Sequence, residues 1–177
     1  TATTEIYTLS LHTLFRSQFL QQKLEPKKGE IVEIPETLAL FDTYEAIQVV
    51  PENVKELANP FEFKPNEGEV VAAHQGAHYY TIGQRKGLHI GGRPNPSFVI
   101  GLDVQTNTVF SGQTDQHPGL NRWALKIELN DIHFVSSRYD LVRLNGLSCD
   151  IRIRYRQPLQ KGTVHALEDG IYVLFEN

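Results

Sequence analysis

The sequence predicts a mainly β protein: a small antiparallel β domain preceded by a helix and followed by an incomplete β-barrel. Three observations predict it. Short β-branched or aromatic runs recur from residue 69 onward, separated by glycine, proline and asparagine, which is the punctuation of antiparallel strands. The one strongly helical pattern precedes them: Leu11, Leu14, Phe15, Phe19, Leu20 and Leu24 fall at three- and four-residue spacings, and Pro26 stops the run. The last run ends at Phe175, so a barrel begun in the second half is expected to lack its closing strands.

Taken in order, residues 1–24 are expected as a linker helix, 25–122 as the central β domain and 123–177 as the truncated C-terminal barrel. Glu30-Ile31-Val32-Glu33-Ile34 alternates like a short strand ending at Pro35. Residues 36–66 carry apolar positions that fit either helix or strand, chopped by Pro51, Pro60 and Pro65, and are read as an insertion. The runs Glu69 to His74, His78 to Ile82, Ser97 to Val104 and Thr108 to Ser111 then read as a meander. Trp123 to Val135, Ser148 to Gln157, Gly162 to Leu167 and Ile171 to Phe175 complete the strand list, the last two joined through Asp169-Gly170.

With 40% hydrophobic and 21% charged residues in 177, the composition is that of one ordinary globular domain or two small ones. No apolar run approaches the roughly 20 residues of a membrane helix, and Thr1-Ala2-Thr3-Thr4-Glu5 lacks the regions of a signal peptide, so a cytoplasmic location is expected. The single cysteine, Cys149, excludes an internal disulfide framework; between Leu147 and Ile151 it reads as a packing residue. The chain contains no methionine, so either it is a piece of a longer protein or methionines are missing from the written string. Charge is uneven: residues 1–69 hold 12 acids against 6 bases, residues 70–177 hold 9 against 11. A polyanionic partner is expected to meet the second part.

Two stretches have a chemical reading. Between Glu69 and Asp103 no acid occurs, while Arg85, Lys86, Arg93 and three histidines do; the glycines around Gln84, Arg85 and Lys86 suggest a tight turn presenting cations to an anion such as phosphate. The competing reading is a soluble glycine hairpin. In Ile151-Arg152-Ile153-Arg154-Tyr155-Arg156-Gln157, strand alternation would place three arginines on one face. Either neighbouring carboxylates such as Asp150 or Glu168 pair with them, or guanidinium groups hold phosphate while Tyr155 stacks a base. His117 reads as a turn residue without a second metal ligand, and His74, His78 and His89 lack a carboxylate among them, so no metal site is expected. Gly-x-Ser-x-Gly, a Walker loop and a dinucleotide fingerprint are missing, and no catalytic residue is assigned.

The string Tyr80-Thr81-Ile82-Gly83-Gln84-Arg85-Lys86-Gly87-Leu88, followed by Ile90-Gly91-Gly92, resembles the signature of the tRNA-specific 2-thiouridylases, the MnmA/TrmU family. Phe98-Val99-Ile100 with Asp103 and Asn107, then Gly112-Gln113 with His117-Pro118-Gly119-Leu120, then Ile153-Arg154-Tyr155-Arg156-Gln157, follow in that family's order. The resemblance implies a parent enzyme that activates the C2 carbonyl of the wobble uridine with ATP and magnesium, then installs sulfur from a persulfide relayed by partner proteins. The family's pyrophosphatase loop and catalytic cysteines are not in this sequence, so the chain is expected to be the tRNA-gripping central and C-terminal region, with no cofactor of its own. The barrel is then expected to be Greek-key and translation-factor-like. The resemblance also makes Arg154, Tyr155, Arg156 and Gln157, together with Gln84, Arg85 and Lys86, the candidate RNA-binding residues. The long acidic stretch from Glu33 to Glu69 departs from the family pattern. The alternative is a stand-alone RNA-binding β module with no enzymatic activity.

Overall fold

The computed structural model describes residues 25–135, 140–154 and 157–176. The helix expected in residues 1–24 lies outside them. Among the described residues eight strands form two four-stranded sheets, each in its own compact unit. Residues 25–45 with Phe61–Asn121 make one unit; Ala46–Pro60 with residues 122–176 make the other.

The first sheet is built from β1 (Gly29–Glu33), β2 (Glu69–His74), β3 (Ser97–Asp103) and β4 (Thr108–Gln113), in the order β2-β1-β4-β3. β1 pairs antiparallel with β2 and parallel with β4, so the expected all-antiparallel meander is corrected. A parallel neighbour needs a long crossover, and everything between residues 34 and 107 supplies it. Ile31 and Val32 are both fully buried, which marks β1 as a central strand covered on both faces. On one face Val32 packs with Ile34, Phe41, Phe63, Ile100 and Phe110. Helix α1 (Ala39–Glu45) delivers Phe41 and Tyr44 to this side, where the Phe61 ring meets theirs edge-on at 5.4 and 5.0 Å. On the other face Ile31 packs with Val99, Val109, Ala77 and Leu88. The last two come from the stretch between β2 and β3, so the glycine-rich segment is itself the cover of that face.

His78 to Ile82 is therefore not a strand. Ala77–Tyr79 forms one 3-10 turn, and the chain then runs irregularly to Ser97. Ala77 and Leu88 are buried over the sheet with Ile31, Val99 and Val109, and burial of such apolar side chains favours this covering conformation.

The second sheet contains β5 (Ala124–Ile127), β6 (Ser148–Ile151), β7 (Gln160–Leu167) and β8 (Gly170–Phe175), in the order β5-β8-β7-β6 and antiparallel throughout. It is an open sheet; among the described residues neither sheet closes into a barrel. The β7–β8 hairpin turns at Glu168-Asp169, with Gly170 already opposite Leu167 as the first residue of β8, so the expected Asp169-Gly170 connection is displaced by one residue. Leu144 of the short helix α3 (Leu141–Leu144), Val164 and Ile171 form the core, flanked by Ile127, Ile132, Leu147 and Cys149. Helix α2 (Val54–Ala58) lays Val54, Leu57 and Ala58 against β5 and β8. The stretch from residue 36 to 66 is thus divided: its first helix serves the first sheet and its second serves the other.

Two strands are shorter than the sequence suggests. β5 stops at Ile127, before a 3-10 turn over Leu129–Asp131. β6 ends at Ile151, whose partner is Gln160 at the start of β7, so the described residues 152–154 and 157–159 lie outside the ladder. Pro158 has no N–H to extend the ladder, and the Gln157 N–H is engaged by the Arg154 carbonyl at 2.9 Å. Arg152 and Arg154 consequently do not line one face of a strand, which corrects the alternation expected for them.

Candidate nucleic-acid interface

The segment from His74 to Arg93 is held at its base, its middle and its end. At the base Asn107, buried and in the left-handed conformation (φ 57°), accepts the Ala77 N–H on Oδ1 at 2.9 Å and donates from Nδ2 to the Lys27 carbonyl at 2.9 Å. The buried His74 ring accepts the Gly76 N–H on Nδ1 at 2.9 Å, and burial pushes its pKa down. The Tyr80 ring stands edge-on to His74 at 5.5 Å, its hydroxyl donating to the Gly87 carbonyl at 3.3 Å; burial pushes that phenol up.

In the middle, the backbone runs beside β3: the Gly83 N–H reaches the Val99 carbonyl at 2.6 Å, and the Val99 N–H reaches the Gln84 carbonyl at 2.9 Å. The Gln84 side chain is used within the turn. Its Oε1 accepts the Thr81 N–H at 3.2 Å and its Nε2 donates to the Lys86 carbonyl at 2.9 Å. Gly83 and Gly87 flank it at φ 78° and 86°, conformations costly for any residue with a Cβ. Arg85 and Lys86 are left exposed between these fixed points, and among the described residues no carboxylate pairs with either. Of the three residues singled out in this turn, Gln84 shapes it and the two cations present it.

At the end, Arg93 bonds Glu33 at 3.3 Å and Glu69 at 3.0 Å. The composition of the stretch counts Arg93 among the charges available to an anion, whereas here it is neutralised and pins the segment to β1 and β2. The sequence marks Asn107 through the family resemblance and as an asparagine in a strand-to-strand turn, where that residue tolerates the left-handed region, but its hydrogen bonds to Ala77 and Lys27 leave no local trace.

The second candidate set lies in the other unit. Arg154 and Gln157 are exposed on the β6–β7 connection, bridged by the turn hydrogen bond, with Arg152 beside them. Tyr155 and Arg156 lie outside the described residues. Among the described residues no group of three or more His, Cys, Asp or Glu could hold a metal ion, and no helix is long and apolar enough to cross a membrane.

Residues 54–113 match the family model described as the tRNA methyl transferase PRC-barrel domain, a domain of tRNA-modifying proteins by that description. Over 162 residues the chain is 44% identical to the tRNA-specific 2-thiouridylase MnmA of Flavobacterium johnsoniae, covering 90% of this chain and 40% of that protein. The same protein of Christiangramia forsetii is 44% identical over 162 residues, covering 89% and 40%, and that of Karelsulcia muelleri 35% over 158 residues, covering 89% and 39%. The chain belongs to the tRNA-specific 2-thiouridylase family and spans about two fifths of the length of these curated relatives.

Proposed function

We propose that this chain is the RNA-holding portion of a tRNA 2-thiouridylase. In this reading the parent enzyme converts the wobble uridine to 2-thiouridine in the cytoplasm, with ATP activating the base and a sulfur-relay protein supplying persulfide sulfur. One observation carries it: a turn fixed at several points, in a chain of this family, presents Arg85 and Lys86 without carboxylate partners among the described residues. A backbone fixed ahead of binding need not be ordered when its guanidinium and ammonium groups meet phosphate, although the exposed side chains themselves still must be.

The described residues do not fit ATP with magnesium, since they offer neither a glycine-rich phosphate loop of the Walker kind nor a cluster of metal ligands. Cys149 does not fit a sulfur carrier either: burial pushes its half-buried thiol up, away from the reactive thiolate. No chemical step is therefore assigned to these residues, and the chain alone is expected to turn over no ATP and to thiolate nothing.

Titration of the chain with tRNA across a salt series tests the reading. Arg85→Ala with Lys86→Ala should lower the log–log salt slope by about 2, near 0.9 for each phosphate that is no longer neutralised. Arg154→Ala with Tyr155→Ala should weaken binding by roughly 1–3 kcal/mol if the tyrosine stacks on a base. Unchanged affinity and slope in both double variants would falsify the assignment.

A further inference from the structure

Resting on that reading, we propose that Lys27 and Lys28 form a second phosphate-binding point at the base of the turn, so that this unit engages the RNA backbone at two places. Both lysines are exposed, and among the described residues neither has a carboxylate partner, although Glu25 and Glu30 flank them in sequence. Their position is fixed by the hydrogen bonds that organise the turn. The Lys27 N–H donates to the Gln75 carbonyl at 2.9 Å, and the Lys27 carbonyl accepts from Asn107 Nδ2 at 2.9 Å. The same Asn107 side chain takes the Ala77 N–H at 2.9 Å, so one buried amide joins the lysine segment to the start of the covering segment.

The connection continues to the cationic tip. Gly29, next to Lys28, is the strand partner of His74; His74 packs against Tyr80, and Tyr80 bonds the carbonyl of Gly87, which follows Lys86. Lys28 and Lys86 are thus the two ends of a short series of direct contacts, whose part between Glu69 and Asp103 contains no acid in the sequence. Because the backbone at Lys27 is bonded on both sides, the side chains start from a fixed platform. Ammonium groups there act as point charges on phosphate and read no base.

The test is tRNA binding against salt for Lys27→Ala with Lys28→Ala, for the corresponding double arginine variant, and for Arg85→Ala with Lys86→Ala. The expected result is a slope lowered by about 2 in the alanine pair, equally for any tRNA, and retained in the arginine pair. A slope unchanged by the Lys27 and Lys28 variants while the Arg85 and Lys86 variant lowers it overturns this inference and leaves the proposed function intact. If neither alanine pair alters the slope, this inference is overturned, and the proposed function falls with it when Arg154→Ala with Tyr155→Ala also leaves binding unchanged. Exposed side chains whose backbone bonds persist should leave the urea midpoint unmoved, which keeps the binding data interpretable.

Discussion

His117 is fully buried, yet both ring nitrogens are engaged. Nδ1 accepts the Gly119 N–H at 3.1 Å, so the proton must sit on Nε2, which donates to the Ile34 carbonyl at 3.1 Å. Gly112 lies against the ring: a Cβ there would come within 2.5 Å of it. Burial, ahead of the opposing Ile34 carbonyl, pushes the His117 pKa below its ordinary value. The folded state therefore prefers the neutral ring, while the unfolded imidazole titrates near pH ~6.5. Stability from this residue is complete above that pH and is lost as pH falls toward the folded value, because the unfolded chain then binds more protons. His117→Ala should cost about 2–4 kcal/mol near pH 7, from the cavity and the orphaned carbonyl, and should shed part of the loss seen between about pH 7 and 5. Urea titrations at both pH values check this; parallel pH profiles for wild type and variant would refute it. Sequence spacing marks His117 as a turn residue and a poor metal ligand. Its tie to Ile34, 83 residues earlier, leaves no local trace. Gln84 is similar: its residue type suggests a contact to RNA, and only the geometry shows its amide spent inside the turn.

The turn of the β7–β8 hairpin is held both by its own strand and from outside it. Asp169 receives the Lys55 ammonium at 2.7 Å, the Tyr172 hydroxyl at 2.8 Å and, more distantly, Lys126 at 3.7 Å. The Lys55 hydrogen bond is the main reason that its carboxyl falls to about 2. A carboxylate so depressed contributes its stability above the unfolded value near ~3.9 and loses it as pH drops through the folded one. Asp169→Asn should therefore lower the thermal midpoint at neutral pH and flatten the acid dependence from about pH 4 to 2. The difference should shrink at high salt, since both partners are solvent-exposed. An Asn variant that melts like the parent at neutral pH and low salt would show the contact to be idle. This hairpin is legible from sequence, although its turn falls one residue before the Asp169-Gly170 pair that marks it. Strand ends are less so: Tyr79, Tyr80 and Ile82 have high strand propensity, but burial of Ala77 and Leu88 over the sheet decides their conformation. The run of alternating arginines likewise continues past Ile151, where the β6 ladder stops, toward a Pro158 that cannot extend it.

Across the whole molecule the chain passes from one unit to the other at residues 45–46, 60–61 and 121–122, so each unit is assembled from separated pieces. Composition marks residues 36–66 as an insertion, but the assignment of Leu57 to β5 and β8 depends on partners more than sixty residues away, which no local pattern encodes. The amides of Val54–Ala58 should accordingly exchange with solvent together with β5 and β8 rather than with β1. Hydrogen exchange followed by mass spectrometry reads this directly, and protection that tracks β1 would contradict the division. The same discontinuity bears on synthesis. At about 5–20 residues per second, the ribosome would release the apolar face of α2 several seconds before β5 emerges to receive it. During that interval Val54 and Leu57 are an unshielded sticky segment on a nascent chain, the stage at which a holding chaperone has most to offer.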